Sequence, residues 1–349
     1  MSVFQSIILP PLSAVYSVIT RARLTAYRRE WLSKATLPVP VISVGNLTTG
    51  GTGKTPLVDY VCRVLARQSS SPELARGKKI CVLTRGYGRA NVKTQVVVSD
   101  GVELLAGEHE AGDEPFLLAK SLLGIAAVIS NRDRFAAGRW AIENLGAEIF
   151  VLDDGFQHLQ LGRDLDIVAV DATNPWGNEN LLPLGRLREP ASGLWRAGCI
   201  VMTRTDHISD VNTITEQIQR VAADKPLFTS RMVTSGIRSF SGKNVEQCLP
   251  PIAAFCGVGN PQSFFEQLRG ENLTPLLTRT FPDHYKYTQS DIDQLSREAQ
   301  DRGAQSLVTT AKDAVKLARF KFSIPCFVLE IRIVIDDGAR FAELLRQAI

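Results

Sequence analysis

The sequence is short of paired cysteines, long apolar runs and net charge, and each shortage narrows what the chain can be. Six cysteines lie scattered at positions 62, 81, 199, 248, 256 and 326, and no two of them form a C-x-x-C pair. A structural zinc site or a disulfide framework is therefore not expected, and the thiols read as small core residues in a reduced, cytoplasmic setting. No apolar stretch reaches the ~18 residues that a membrane-spanning helix needs. Repeats and low-complexity tracts are lacking too, which excludes a solenoid. The formal charge is only +4, and Arg21, Arg23, Arg28, Arg29 and Lys34 against Glu30 account for all of it. The rest of the chain is neutral, so no nucleic-acid partner is expected for the main body. At 349 residues the chain can bury a large core in two domains, or in one domain with a large annex.

The basic excess follows an apolar opening, "SVFQSIILPPLSAVYSVITRARLTAYRREWLSK". No positive segment precedes the apolar part, so it does not read as a secretory signal. Beyond Pro10-Pro11, residues Leu12, Val15, Tyr16, Ile19, Ala26, Tyr27 and Trp31 can share one helix face flanked by arginines. Residues 1–35 suit an amphipathic helix in a membrane interface beside anionic lipids, or an ordinary first helix packed on the body.

From Pro38 the chain alternates short apolar strands with helical patterns. Strands are expected at 41–44, 80–83, 126–129, 149–152, 167–170 and 200–202, with helices near 54–67, 115–123, 133–145 and 211–223. This predicts an α/β fold with a doubly wound, mostly parallel sheet of the P-loop NTPase type, binding ligands at the carboxyl ends of its strands. "TQVVVSDG" suggests a hairpin strand. The polar-alternating run near 226–246 reads as a hinge. A smaller C-terminal α/β unit follows, with strands at 252–256, 307–309 and 326–331 and helices at 261–269, 288–302, 311–319 and 338–347. The expected division is 1–35, 36–230 and 231–349.

The strongest motif is "GNLTTGGTGKTP", Gly45–Pro56, between an apolar strand and a helix. Gly50, Gly51 and Gly53 let backbone N–H groups turn around phosphate oxygens, Lys54 can reach the β- and γ-phosphates, and the Thr55 hydroxyl can ligate Mg²⁺. The loop from Thr48 to Thr55 is thus the expected nucleotide cradle, with Thr48, Thr49 and Thr52 supplying its remaining backbone. Thr48 departs from G-x-x-x-x-G-K-[ST], which has Gly there. The loop resembles the G-G-x-G-K-T variant of partitioning ATPases and dethiobiotin synthetase, and a membrane-docking ATPase or GTPase switch stays open as an alternative.

Other clusters sit at predicted strand ends. "EIFVLDDGFQH" places Asp153 and Asp154 where a P-loop enzyme needs acid for Mg²⁺, with His158 on the same loop. "LTRGYGR" offers Arg85 and Arg89, and "SNRDRF" offers Arg132 and Arg134. "LPLGRLREP" carries Arg186, Arg188 and Glu189, "HEAGDEP" carries Asp113 and Glu114, and "FPDHYKY" carries Asp283 and His284. "VTTAKDAVK" ends a late strand with Lys-Asp. Arginines of this kind suit phosphate or sugar, and Asp113 equally suits a helix N-terminus.

In this order, "VGNLTTGGTGKTP", "TRGYGR", "AGDEP", "NRDR", "DDGFQH", "RLREP", "FPDHYKY" and "TAKDAVK" resemble the tetraacyldisaccharide 4′-kinase family, the lipid A 4′-kinases of Gram-negative bacteria. The resemblance implies transfer of the ATP γ-phosphoryl to the 4′-hydroxyl of a tetraacyl glucosamine disaccharide 1-phosphate. It implies peripheral attachment to the cytoplasmic face of the inner membrane through the N-terminal helix, and a monomer is expected. It assigns Lys54 and Thr55 to phosphate and Mg²⁺, and Asp153, Asp154 and Glu189 to ordering the metal. Asp113 becomes the base, with His284 as its partner across the hinge. Apart from the resemblance, Arg85, Tyr87, Arg132, His158 and Arg188 at these strand ends are candidate substrate contacts.

Overall fold

The computed structural model describes residues 3–68, 79–87, 89, 91–240, 248 and 250–349. In chain order the elements are α1 (Val3–Arg28), β1 (Val41–Asn46), α2 (Lys54–Gln68), β2 (Ile80–Thr84), β3 (Val96–Ser99), α3 (Glu108–Ala111), α4 (Asp113–Ser121), β4 (Ala126–Ser130), α5 (Arg134–Leu145), β5 (Ile149–Asp153) and β6 (Leu165–Asp171). There follow β7 (Cys199–Thr203), α6 (Val211–Val221), β8 (Leu227–Ser239), β9 (Ile252–Cys256), α7 (Pro261–Gly270), β10 (Pro275–Thr280), α8 (Gln289–Asp301), β11 (Ser306–Thr310), α9 (Ala311–Leu317), β12 (Cys326–Ile335) and α10 (Gly338–Gln347).

Among the described residues twelve strands form one sheet, in the order β10-β9-β11-β12-β8-β7-β6-β1-β5-β2-β4-β3. The P-loop strand β1 is central to its half, parallel to β5 on one side and β6 on the other. Every residue of β1, β2, β4, β5 and β7 is buried. That is why these strands read as unbroken apolar runs: helices cover both faces. β3 is a strand, as "TQVVVSDG" suggested, but it pairs antiparallel with β4 beyond α3 and α4 and so forms no hairpin with it.

The stretch read as a hinge is mostly strand. Leu227–Thr229 of β8 pair in parallel with β7, and Ser230–Ser239 pair antiparallel with β12. Its polar alternation is the period-two signature of a half-buried strand, with Phe228, Ser230 and Met232 buried. The boundary expected at 230/231 therefore falls inside one strand, while positions 241–247 lie outside the described residues. β12 also runs on to Ile335, and α10 returns to the first half, where Phe341 and Leu345 join Val58, Phe228 and Ile333 in one core. β10 was not expected: it is an edge strand in which only Leu277 is buried, so it lacks an apolar run.

α1 also differs from expectation. It starts at Val3 and continues through Pro10 and Pro11. Its anticipated single face is split. Tyr16 Oη donates to the Arg188 carbonyl (2.9 Å) and Ser13 Oγ to that of Leu181 (2.9 Å), and Tyr27 is buried. Leu12, Val15, Val18 and Ile19 instead face outward, 50–67% exposed, and Trp31 lies exposed beyond the helix end. No helix among the described residues is long and apolar enough to cross a membrane.

Candidate active site

The P-loop leaves β1 at Asn46, whose amide organises it. Asn46 Nδ2 donates to the Thr48 carbonyl (2.6 Å) and Thr52 Oγ1 (2.8 Å), while its Oδ1 accepts from Lys54 Nζ (3.0 Å). Gly50 (φ +108°) and Gly53 (φ +80°) occupy the conformations that bend the loop. Thr48 has no positive φ and bridges to Leu187, so that position does not demand glycine. The loop's carbonyls are held from outside: Arg186 Nε donates to Thr49 O (3.1 Å), Arg204 Nη2 to Gly51 O (2.7 Å) and Thr203 Oγ1 to Thr52 O (3.0 Å). These bonds fix the loop, whose Thr49 and Thr52 N–H groups are themselves bonded to the carbonyls of Arg186 (2.7 Å) and Gly50 (3.0 Å).

β5 delivers the two carboxylates. Asp154 (φ +54°) receives Lys54 Nζ at 2.5 Å and Arg188 Nη1 at 2.7 Å. Burial alone would raise its pKa, but Lys54 and Arg188 outweigh it and hold the carboxyl well below the usual range. Asp153 is buried, accepts the Thr84 hydroxyl (2.9 Å), and is pushed up to about 6 by burial and by the neighbouring Glu114 and Asp154 charges. Asp153, Asp154 and Thr55 offer the oxygen donors that Mg²⁺ prefers, while Lys54 and Arg188 occupy Asp154 in this arrangement.

Glu189 is committed elsewhere. Arg196 Nη1 (2.6 Å) holds one carboxylate oxygen, and Arg196 Nη2 (3.1 Å) and Gln157 Nε2 (2.8 Å) hold the other. Gln157 also donates to the Asn46 carbonyl (2.9 Å). In this arrangement Glu189 thus braces the loop beneath the site, with both carboxylate oxygens bonded.

The arginines divide. Arg89 and Arg134 are buried; Arg89 bonds the carbonyls of Ser130 and Val92, and both serve as scaffold. Arg85 and Arg132 are exposed at the ends of β2 and β4, beside exposed Tyr87. His158 is driven down to about 4 by burial and by Arg134 and Arg163, so it is a neutral imidazole near pH 7.

Asp113 opens α4, and His284 lies in the loop after β10 with φ +60°. The fold brings them together, with His284 Nδ1 3.0 Å from Asp113 Oδ2. His284 is raised by that bond. Burial alone would raise the Asp113 carboxyl, but the His284 contact prevails and lowers it. The charge of Glu114, next to Asp113 in sequence, is among those that raise Asp153. The two halves meet closely: a Cβ added to Gly259 would lie 2.7 Å from Gly51 N. A cavity of about 270 Å³ lies between them, lined by the P-loop, Asp171, Asn174, Arg186 and Gln262.

Sequence reasoning missed Asn46, Gln157, Arg196 and Arg204. Asn46 and Gln157 stand inside "VGNL" and "DDGFQH", and the motifs gave them no role. Arg196, in "GLWRAG", carries no local signal. Arg204 (φ +58°) links Asp171, the Gly51 carbonyl and Ser263 Oγ (3.1 Å), a role visible only once β7 is placed beside the P-loop.

A phosphate loop on a parallel sheet, with carboxylates on the adjoining strand and an Asp–His pair joining the two halves, defines a P-loop phosphotransferase. The family is specific. The chain belongs to the tetraacyldisaccharide-1-P 4′-kinase family, whose profile matches residues 5–349. It is 38% identical over 345 residues to the tetraacyldisaccharide 4′-kinase of Pelobacter propionicus, covering 97% of this chain and 91% of that one. It is 40% identical to that of Geobacter metallireducens, covering 89% of this chain and 88% of the relative. The crystal structure of the "apo" form of LpxK from Aquifex aeolicus in complex with ATP superposes with a TM-score of 0.75 at 31% identity, covering 97% of each chain.

Proposed function

We propose that this chain transfers the γ-phosphoryl group of ATP to the 4′-hydroxyl of a tetraacyl glucosamine disaccharide 1-phosphate, with Asp113 as base. Family membership carries the reaction; the 3.0 Å contact between Asp113 and His284 carries the assignment of the base. Asp113 takes the hydroxyl proton, the freed oxygen bonds to the γ-phosphorus, and the bond from that phosphorus to the bridging oxygen breaks to release ADP. His284 orients the carboxylate and balances the proton it receives. Lys54 and Arg188 neutralise charge on the phosphoryl group, where positioned cations are most effective. Thr55, Asp153 and Asp154 would hold Mg²⁺, which supplies charge neutralisation at the phosphates. Arg85, Tyr87, Arg132 and Arg188 contact the phosphorylated sugar, and His158 does so as a neutral hydrogen-bonding group.

The enzyme works as a monomer on the cytoplasmic face of the inner membrane. Support for the first comes from Asp113 and His284 meeting within one chain. Support for the second comes from the outward apolar stripe of α1 beside Arg21, Arg23 and Arg28, which suits anionic lipids. A partitioning-type switch would have no use for an Asp–His pair. The test follows labelled γ-phosphate in detergent micelles containing the disaccharide 1-phosphate. Label is expected in the lipid, and Lys54→Met should lower kcat by about a hundredfold or more with the fold intact. Label released only to water would favour the switch.

A further inference from the structure

Asp113 and His284 each have a charged neighbour in sequence, Glu114 and Asp283, and these neighbours also meet across the two halves. They do so through a third residue. Lys312 Nζ lies 2.7 Å from Glu114 Oε1 and 3.1 Å from Asp283 Oδ1. The arrangement is a ladder of two rungs. One is the direct contact from His284 to Asp113; the other runs Glu114–Lys312–Asp283.

We propose that Lys312 is a positioning residue for the base, tying the α4 turn that carries Asp113 to the loop that carries His284 and cancelling the two carboxylates beside them. This rests on the reading of Asp113 as base.

Three observations support it. First, Lys312 stands in the first turn of α9, where a cation opposes the helix dipole. Local helix preference does not account for a lysine there, whereas carboxylates from two other elements do. Second, Asp283 Oδ1 also accepts the backbone N–H of His284 (3.0 Å). The lysine therefore grips the oxygen that holds His284 in its left-handed turn, and so sets the direction of the imidazole. Third, the Lys312 side chain is 17% exposed while both its partners are about a third exposed. Burial would discharge it, but Glu114 and Asp283 prevail and raise its pKa, so the clamp stays charged at neutral pH. Other charges facing the pair are Lys316, acting on Asp113, and Glu108, which Asp113 itself perturbs. Without Lys312, Glu114 would lose its cation and Asp283 would keep only the more distant His284 (3.9 Å), where a triphosphate and a sugar phosphate must also enter.

The experiment uses the full chain and the micellar transfer assay, with kcat counted per folded molecule. Lys312→Met is expected to lower kcat about tenfold or more while the KM for ATP stays within about threefold, and Lys312→Arg to recover most of the loss. Adding Glu114→Gln to Lys312→Met should cost no more than about twofold further, because both remove the same rung. A Lys312→Met enzyme with wild-type kcat overturns the proposal, as does a double mutant whose losses multiply in full. If Lys312→Met does not fold, Glu114→Gln and Asp283→Asn each break one arm; each must lower kcat at unchanged KM for ATP, and wild-type kcat in both overturns it. Asp113→Asn separates the two readings. An inactive Asp113→Asn beside a normal Lys312→Met sinks the clamp alone, whereas an active Asp113→Asn sinks the base.

Discussion

Asp153 and Asp154 are neighbours of the same chemical type, yet they face opposite electrostatics. Asp154 meets Lys54 and Arg188 and stays ionised, whereas Asp153 is enclosed with one hydroxyl and sits at about 6. A carboxyl raised on folding binds its proton more tightly in the folded state. Its stabilising share is full below the unfolded value, 3.8, and is lost as pH rises through about 6. The metal-free protein should thus lose melting temperature across that window, and Asp153→Asn should flatten the slope. Mg²⁺ needs the ionised form, so it should raise the melting temperature more at about pH 7.5 than at about pH 5.5. Equal stabilisation at both values would remove Asp153 from the metal site. "DDGF" announces two acids, but not their difference, because Thr84, Lys54 and Arg188 arrive from elsewhere in the chain. Glu189 shows the converse. The resemblance gave it a metal role, and the partner that holds it in this arrangement, Arg196, has no motif at all.

At the level of elements, legibility followed burial. Strands covered on both faces announced themselves as apolar runs; β8 and β10, partly exposed, did not. α1 was legible as amphipathic, but its division of labour was not, since the residues that dock it depend on carbonyls of Leu181 and Arg188 far along the chain. That division predicts a separation of effects. Leu12→Ser, Val15→Ser and Ile19→Ser together should lower partition into anionic vesicles about tenfold or more, raise the KM for lipid, and leave the KM for ATP unchanged. Tyr16→Phe loses a single hydrogen bond from docking and should leave vesicle binding intact. Unchanged partition of the triple variant would assign the outward stripe no part in membrane contact.

For the whole molecule, the Asp113–His284 pair is assembled from both halves of the sheet, and residues 171 positions apart come within 3.0 Å. Resemblance supplied that pairing; spacing alone could not, since it depends on how α4 and the loop after β10 are carried on separate strands. Acting as a unit, the two should give a non-additive cycle: Asp113→Ala lowers kcat strongly, and His284→Ala added to it costs much less than it does alone. Additive losses with kcat retained per folded molecule would reduce them to a helix terminus and a loop histidine. β8 bears on how such halves move. A flexible loop between two bodies carries no torque, but a ribbon hydrogen-bonded to β7 at one end and β12 along the rest does. Opening the cleft by a rigid swing would have to break ladder hydrogen bonds of β8, so the two halves are joined as one continuous sheet and not as beads on a string.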